Sequence, residues 1–528
     1  MRRAVSILAL FLLLAGSLAA EEAGLARVEG GTALITGEML RPAPELGPGR
    51  ARVPVHFPDH APNLPVLGAA MSGPGVGLLR QLYAQGRAAG HWGDLYDNRD
   101  RDHSRLARGD FPQLTRVVYG LDLRARQVDY GAAGQLIFGA PVLGNSSTAL
   151  TSGVLWRSQP RFLLTQGEGT RTLYDGYVAG QIHVYPEHRD HDPDRGDLIP
   201  ANTPYLLISQ GSSGSDRPHL RALAMILAAF RPDTKARLIE TGLLASTMQM
   251  VYRRARTPIR SRAGYLSGLA HPSVFGPDEI NLDRMVALAN AVAPDEIPPL
   301  VRLKMLDETL GREGVDFFGQ GLSEQVFDTP SAIARIWRSR AGRREMLISA
   351  DETRDPNGRE LSFDWVLLRG DPDRVRIEPL DNGRRARITL DWQNPRPSPG
   401  AAEVLSPRID IGVFAHNGAH DSAPGFISVL LPAHETRVYG SDGRVESIDY
   451  RVPEGGYADP LLFPRISWRD TYRYDADGAL LGWGRDNGAG RFYATFDSHG
   501  QQAGALGPAA YRIATDAVGQ PWVTETLN

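Results

Sequence analysis

The sequence predicts a multidomain chain. A mixed α/β N-terminal region with a helical extension leads into an all-β sandwich and a β-hairpin tail. Three observations predict this. The chain has 528 residues, enough for roughly three domains of about 150 residues each. Apolar residues at helical spacing concentrate between residues 218 and 341. Beyond Met346 short alternating runs separated by tight turns replace them.

Hydrophobic residues make up 42% of the chain and charged residues 23%, a globular balance rather than a disordered or collagen-like one. A formal charge of -3 lacks the strongly basic face of a nucleic-acid binder, so no nucleic-acid partner is expected. Cys is absent, which excludes disulfides, thiolate zinc sites, a cysteine nucleophile and a lipoprotein anchor. Residues 1–20 place Arg2 and Arg3 before the apolar run from Ile7 to Ala15, then Ala19 and Ala20. That reads as a secretory signal peptide, too short for a spanning helix. No later apolar run approaches the roughly 18 residues of a span. The expected product is secreted or periplasmic, with no transmembrane segment in the mature chain. Arg outnumbers Lys 56 to 2, a bias that points to a GC-rich bacterial genome.

Residues 21–215 read as mixed α/β. Pro42 to Pro65 is Gly/Pro-rich loop and short strand. A helix is expected around Leu78 to Tyr83, and strands at Arg116 to Tyr119 and Gln135 to Phe138. Residues 216–344 read as mainly helical. Leu220, Leu223, Ile226, Leu227 and Phe230 share one face, and Pro232 breaks that helix. Further helices are expected at Thr234 to Arg254, Asp278 to Val292, Leu300 to Leu310 and Ser331 to Arg340.

Residues 345–432 read as the sandwich. Ser349-Ala350-Asp351 leads into the turn Asp355-Pro356-Asn357-Gly358. Leu361, Phe363 and Trp365 then alternate, so one face of that strand carries all three. Arg385 to Trp392, Ile409 to Val413 and Phe426 to Leu431 supply further strands. This segment resembles PKD-type, immunoglobulin-like β-sandwich modules. The resemblance implies an accessory role in a secreted protein: spacing, surface binding or assistance to a catalytic domain. After Trp365 the sequence continues Val366-Leu367-Leu368-Arg369, not the family's usual W-D-F-G-D-G. Residues 433–528 carry Tyr439-Gly440-Ser441-Asp442-Gly443 and Tyr474-Asp475-Ala476-Asp477-Gly478, with a weaker copy at Phe496 to Gly500. They resemble YD-type hairpin repeats. Asp-Gly favours a tight primed turn, so a β-meander is expected.

Three loops carry chemistry. Tyr205 to Gln210 is an apolar strand followed by Gly211-Ser212-Ser213-Gly214-Ser215-Asp216 and a helix. A strand, a Gly/Ser turn and a helix start gather N–H groups and hydroxyls, which suits an anion or an oxyanion. Ser213 or Ser212 is the candidate nucleophile, although G-x-S-x-G is absent. The alternative is that Ser215 and Asp216 cap the helix. Asn145, Ser146 and Ser147 form a second polar loop placed to face the first across a cleft. With Gly211, Gly214 and Ser215 they are the candidate ligand-binding set. The third loop runs from Glu187 to Asp197. His188 or His191 is the candidate base for the serine. Asp190, Asp192, Asp194 and Asp197 resemble a calcium loop, so calcium is the expected cofactor if the loop binds metal.

Two functions follow. One is a secreted multidomain protein that binds an envelope or extracellular polymer through its Ig-like module. The other is a secreted serine-type hydrolase working through the Gly211–Asp216 loop.

Overall fold

The computed structural model describes residues 25–59, 63–150, 157–319, 321–453, 458–504, 510–517 and 521–526. The expected signal peptide lies outside the described residues.

An eight-stranded sheet organises the N-terminal region. Across it the strands run Leu206–Ser209, Gln181–Pro186, Val142–Asn145, Leu95–Asn98, Thr115–Tyr119, Thr32–Ile35, Ala26–Glu29 and Val55–His56. The first six are mutually parallel. Ile182, Val184, Tyr185 and Leu207 are fully buried, as strands covered on both faces require. The helices Val76–Ala84, Gly167–Val178, Arg217–Ala229, Leu244–Arg254 and Leu282–Ala291 share one apolar cluster with these strands. The expected helical extension is therefore packed into the core of the N-terminal region. Leu220, Leu223, Ile226, Leu227 and Phe230 all enter it.

The strand order reverses at Leu95–Asn98. The next strand in the chain, Thr115–Tyr119, pairs on one side of it, and Val142–Asn145 pairs on the other. The chain leaves the sheet in opposite directions there. Open α/β sheets bind ligands at such a switch point.

Several expected helices are corrected. Thr234 to Arg254 divides into Pro232–Glu240 and Leu244–Arg254. Between them Gly242 sits at φ +69°, where an added Cβ would meet the Val178 carbonyl at 2.8 Å. Lys304–Glu308 is a strand, paired with Arg343–Ser349 across a bulge. Ala332–Ile336 is also a strand, buried between Gln325–Thr329 and Gly425–Leu430. A short apolar run covered on both faces does not distinguish strand from helix by its period. β-structure therefore starts well before the expected residue 345.

Residues 304–431 form a two-sheet unit. One sheet orders Lys304–Glu308, Arg343–Ser349, Arg385–Asp391 and Val375–Leu380. The other orders Gln325–Thr329, Ala332–Ile336, Gly425–Leu430, Arg408–His416 and Ser362–Arg369. Ile348 and Ile388 of the first share an apolar cluster with Trp365, Ile411 and Val429 of the second. Phe363 joins it as the alternation requires. Trp365 Nε1 donates to the Gly383 carbonyl at 2.7 Å. In the preceding turn Asp355 Oδ1 accepts from the backbone of Asn357 and Arg359 at 2.8 and 3.0 Å.

The tail is a five-stranded antiparallel meander of Thr436–Tyr439, Val445–Asp449, Arg469–Tyr474, Leu480–Asp486 and Ala494–Asp497. Gly443, Gly478 and Gly500 take positive φ at its turns, the conformation Gly adopts without a Cβ penalty.

Candidate functional site

The carboxyl ends of the switch-point strands converge on one side chain. The Leu95 strand delivers Tyr96 and Asn98, then runs on to Asp100 and Ser104. The Val142 strand ends in Asn145. Asn145 Nδ2 lies 3.0 Å from Asp100 Oδ2, 2.8 Å from Asp216 Oδ2 and 2.6 Å from the Ser104 carbonyl. Its Oδ1 accepts from Tyr96 OH at 2.7 Å and from Asn98 Nδ2 at 3.2 Å. One carboxamide thus bridges two acids and is itself held by two further side chains.

Asp100, Asn145 and Asp216 are all buried. Burial, reinforced by the neighbouring Asp100, pushes the Asp216 carboxyl up to about 6. Burial raises Asp100 as well. Among the described residues, Oδ1 of each acid has no hydrogen-bond partner. The loops carrying the pair are joined where Gly214 N–H donates to Ser104 Oγ.

Glu187 stands at the end of the neighbouring Gln181 strand. It accepts from the backbone of His191 at 2.9 Å and of Gly211 at 3.1 Å. Burial outweighs these bonds and pushes its carboxyl up to about 7. His188 takes φ +50° and its Nε2 lies 2.6 Å from the Ser147 carbonyl. A carbonyl only accepts, so Nε2 carries the proton. Burial lowers the His188 pKa, against the Ser147 hydrogen bond.

The structure therefore brings the three polar loops together. Asn145 reaches Asp216, His188 reaches Ser147, and Gly211 reaches Glu187. The expected serine pairing does not form. Ser212 and Ser213 are exposed. Among the described residues no hydrogen bond joins either to His188 or His191. His188 is engaged by Ser147, and His191 Nδ1 faces Asp197 Oδ1 at 3.7 Å in the buried interior. Ser215 Oγ instead pairs with Ser209 Oγ at 2.8 Å. Asp216 precedes the helix without capping it through its side chain, because its carboxyl turns to Asn145. Ser146 is buried, with its Oγ 3.1 Å from Thr148 Oγ1.

The four acids of the expected calcium loop are separated. Asp190 accepts from Arg161 at 2.9 Å and from Ser158 N at 2.6 Å. Asp197 pairs with Arg369 and Arg408. Asp192 is half-buried and Asp194 exposed. Among the described residues no group of three His, Asp or Glu side chains is placed to hold a metal ion. A buried carboxylate needs a counter-charge, and here arginines from other segments supply it.

The Asp100–Asp216 pairing was not foreseen. Its only sequence signal is that Asn145 ends a strand while Asp100 and Asp216 lie in loops that follow strands.

No family model and no curated protein matches the chain. Among solved structures, one similar chain is a nucleoside hydrolase-related hypothetical protein from Saccharophagus degradans, described as associated with carbohydrate metabolism. It is 9% identical with a TM-score of 0.18, covering 55% of this chain and 71% of its own. Tandem Ig repeats of Dlar match at 10% identity and a TM-score of 0.12, covering 43% and 96%. The N-terminal Ig1-2 module of the Drosophila receptor protein tyrosine phosphatase DLAR matches at 10% and 0.13, covering 42% and 97%. At such scores these likenesses carry no argument, and the functional reading rests on the site.

Proposed function

We propose that the N-terminal region is a hydrolase that works by carboxyl acid–base chemistry on a small polar substrate. In this reading the two-sheet unit is an Ig-like, PKD-type accessory module of an exported protein. The observation that carries it is the Asn145 carboxamide bridging Asp100 and Asp216 at the switch point. Two like-charged acids close together in a buried site resist double ionisation, so one of them holds a proton. A carboxyl poised near 6 exchanges that proton readily at ordinary pH. The protonated acid gives its proton to the leaving group as the scissile bond breaks. The ionised partner takes a proton from the attacking water, whose oxygen bonds to the substrate. The pair then carries one proton again.

The test assays the purified full chain on fluorogenic glycosides, esters and phosphate esters, beside Asp100→Asn and Asp216→Asn. Turnover should fall by about a hundredfold or more in either variant, with unchanged circular dichroism. Equal rates in wild type and variants, or no turnover across the panel, would sink this reading.

A second reading is polymer binding, favoured by a cleft of about 800 Å³ at the seam between the two-sheet unit and the tail. Arg343, Arg374, Asp391, Trp392 and Tyr439 line it. Co-sedimentation with cellulose, chitin and peptidoglycan tests it. Retention that survives Arg374→Ala combined with Tyr439→Ala would remove this cleft from consideration.

A further inference from the structure

We propose that an arginine-lined cleft beside the acid pair binds an oxyanion group, phosphate or carboxylate, of a small anionic ligand. The cleft holds about 680 Å³, within the range of small-molecule sites. Thr32, Tyr96, Asn98 and Arg116 contribute from the sheet strands, and the 101–108 loop, Arg124 and Asp129 add to the lining. Arg101, Arg105, Arg108, Arg116 and Arg124 line it against only two acids, Asp102 and Asp129. Each acid is already engaged: Asp102 pairs with Arg105 at 3.3 Å and Asp129 lies 3.8 Å from Arg124. Three arginines are left without a carboxylate of their own in the cleft.

Arg116 is the centre of this imbalance. Its guanidinium lies over the Tyr96 ring at 4.5 Å. Its Nε and Nη2 are buried and have no hydrogen-bond partner. Desolvation lowers its pKa, the response of a cation that lacks a close counter-charge. Several fully buried arginines of this chain are paired with acids, whereas Arg253 and Arg338 bond neutral oxygens. Arg99 has Asp97, Arg161 has Asp190, Arg335 has Glu308 and Arg408 has Asp410. Leaving a partly desolvated guanidinium without a counter-charge is costly, and an oxyanion in the cleft supplies that charge. Arg101 stacks on Tyr130 at 4.4 Å on the exposed side, a second positive charge for the same group.

The cleft also communicates with the acid pair. Tyr96 and Asn98 line it and donate to Asn145 Oδ1, while Asn145 Nδ2 contacts Asp100 and Asp216. An oxyanion over Arg116 therefore lies two side chains, Tyr96 or Asn98 and then Asn145, from those acids. Its role as a substrate handle rests on the hydrolase reading; anion binding itself does not.

The experiment is calorimetric titration of the full chain with inorganic phosphate and, separately, citrate, with glucose as the neutral control. Arg116→Gln, Arg101→Ala and Asp216→Asn are titrated in parallel, with melting temperatures recorded. At least one of the two anions should bind saturably and glucose should not. Arg116→Gln should weaken binding by about tenfold or more, and the exposed Arg101→Ala by about threefold. Asp216→Asn should bind as wild type does. Phosphate alone identifies a phosphoryl handle, and citrate alone a carboxylate handle. Absence of saturable binding by folded wild type overturns the proposal. So does undiminished binding by folded Arg116→Gln, or by Arg101→Ala should Arg116→Gln fail to fold. Anion binding with turnover insensitive to Asp216→Asn removes the hydrolase reading alone. Asp216-dependent turnover without anion binding removes this proposal alone.

Discussion

Asp197 Oδ2 lies 3.2 Å from Arg408 Nη1 with both side chains fully buried, joining the N-terminal region to the two-sheet unit. Arg369 approaches the same oxygen at 3.0 Å, and Asp410 balances the pair of guanidiniums. Asp197→Ala should destabilise the chain by about 3–5 kcal/mol, because it leaves buried cations unpaired. Urea unfolding measures this. A loss within about 0.5 kcal/mol of zero, the scale of ordinary surface substitutions, would contradict the assignment.

The pH dependence of stability separates two acids of opposite sign. Although burial raises Asp197, Arg408 and Arg369 hold it well below the usual carboxylate range. Its contribution is present above the ordinary carboxyl pKa of about 4 and is lost as pH falls below it. Asp216 is raised to about 6. Its favourable contribution is present below about pH 4 and disappears as pH rises through 6. Asp216→Asn should therefore gain stability relative to wild type between about pH 4 and 6 and no further above 7. Urea midpoints at intervals across that range check the sign.

Activity should report the same groups. The pH profile of kcat/KM should show a limb near 6, the value to which Asp216 is pushed. Asp216→Asn should abolish that limb along with most of the rate. Glu187, raised to about 7, lies beside the site, so Glu187→Gln should leave the limb near 6 in place. A limb that persists unchanged in Asp216→Asn assigns it to another group.

Asn145→Leu removes the bridge and leaves two carboxyls and the Tyr96 hydroxyl short of partners. A loss of about 1–3 kcal/mol is expected, with turnover reduced to the level of the acid variants. Full activity in Asn145→Leu would show that the bridge is not needed.

In the tail, Trp483 is fully buried and stacks on Phe496 at 5.1 Å. Trp483→Ala should cost the tail about 3–5 kcal/mol. Anion binding by the N-terminal cleft should be unaffected, since these side chains belong to a separate apolar cluster. Parallel calorimetry and near-ultraviolet dichroism test both halves.

Features set by neighbours in the chain were legible in the sequence. The hairpin glycines at 443, 478 and 500, the break at Pro232 and the inward alternation of Phe363 and Trp365 follow from backbone sterics and strand pleat within a few residues. The mixed α/β and β-rich halves were readable from period. Helix and strand were confused at Lys304–Glu308 and Ala332–Ile336, where pairing with distant strands overrides local preference. The polar loops were each visible as loops. Their chemistry was not, because Asn145 meets Asp216 across 71 residues. Only the strand order of the sheet decides which carboxyls share a buried space, which arginine finds an acid and which, like Arg116, is left facing a cleft.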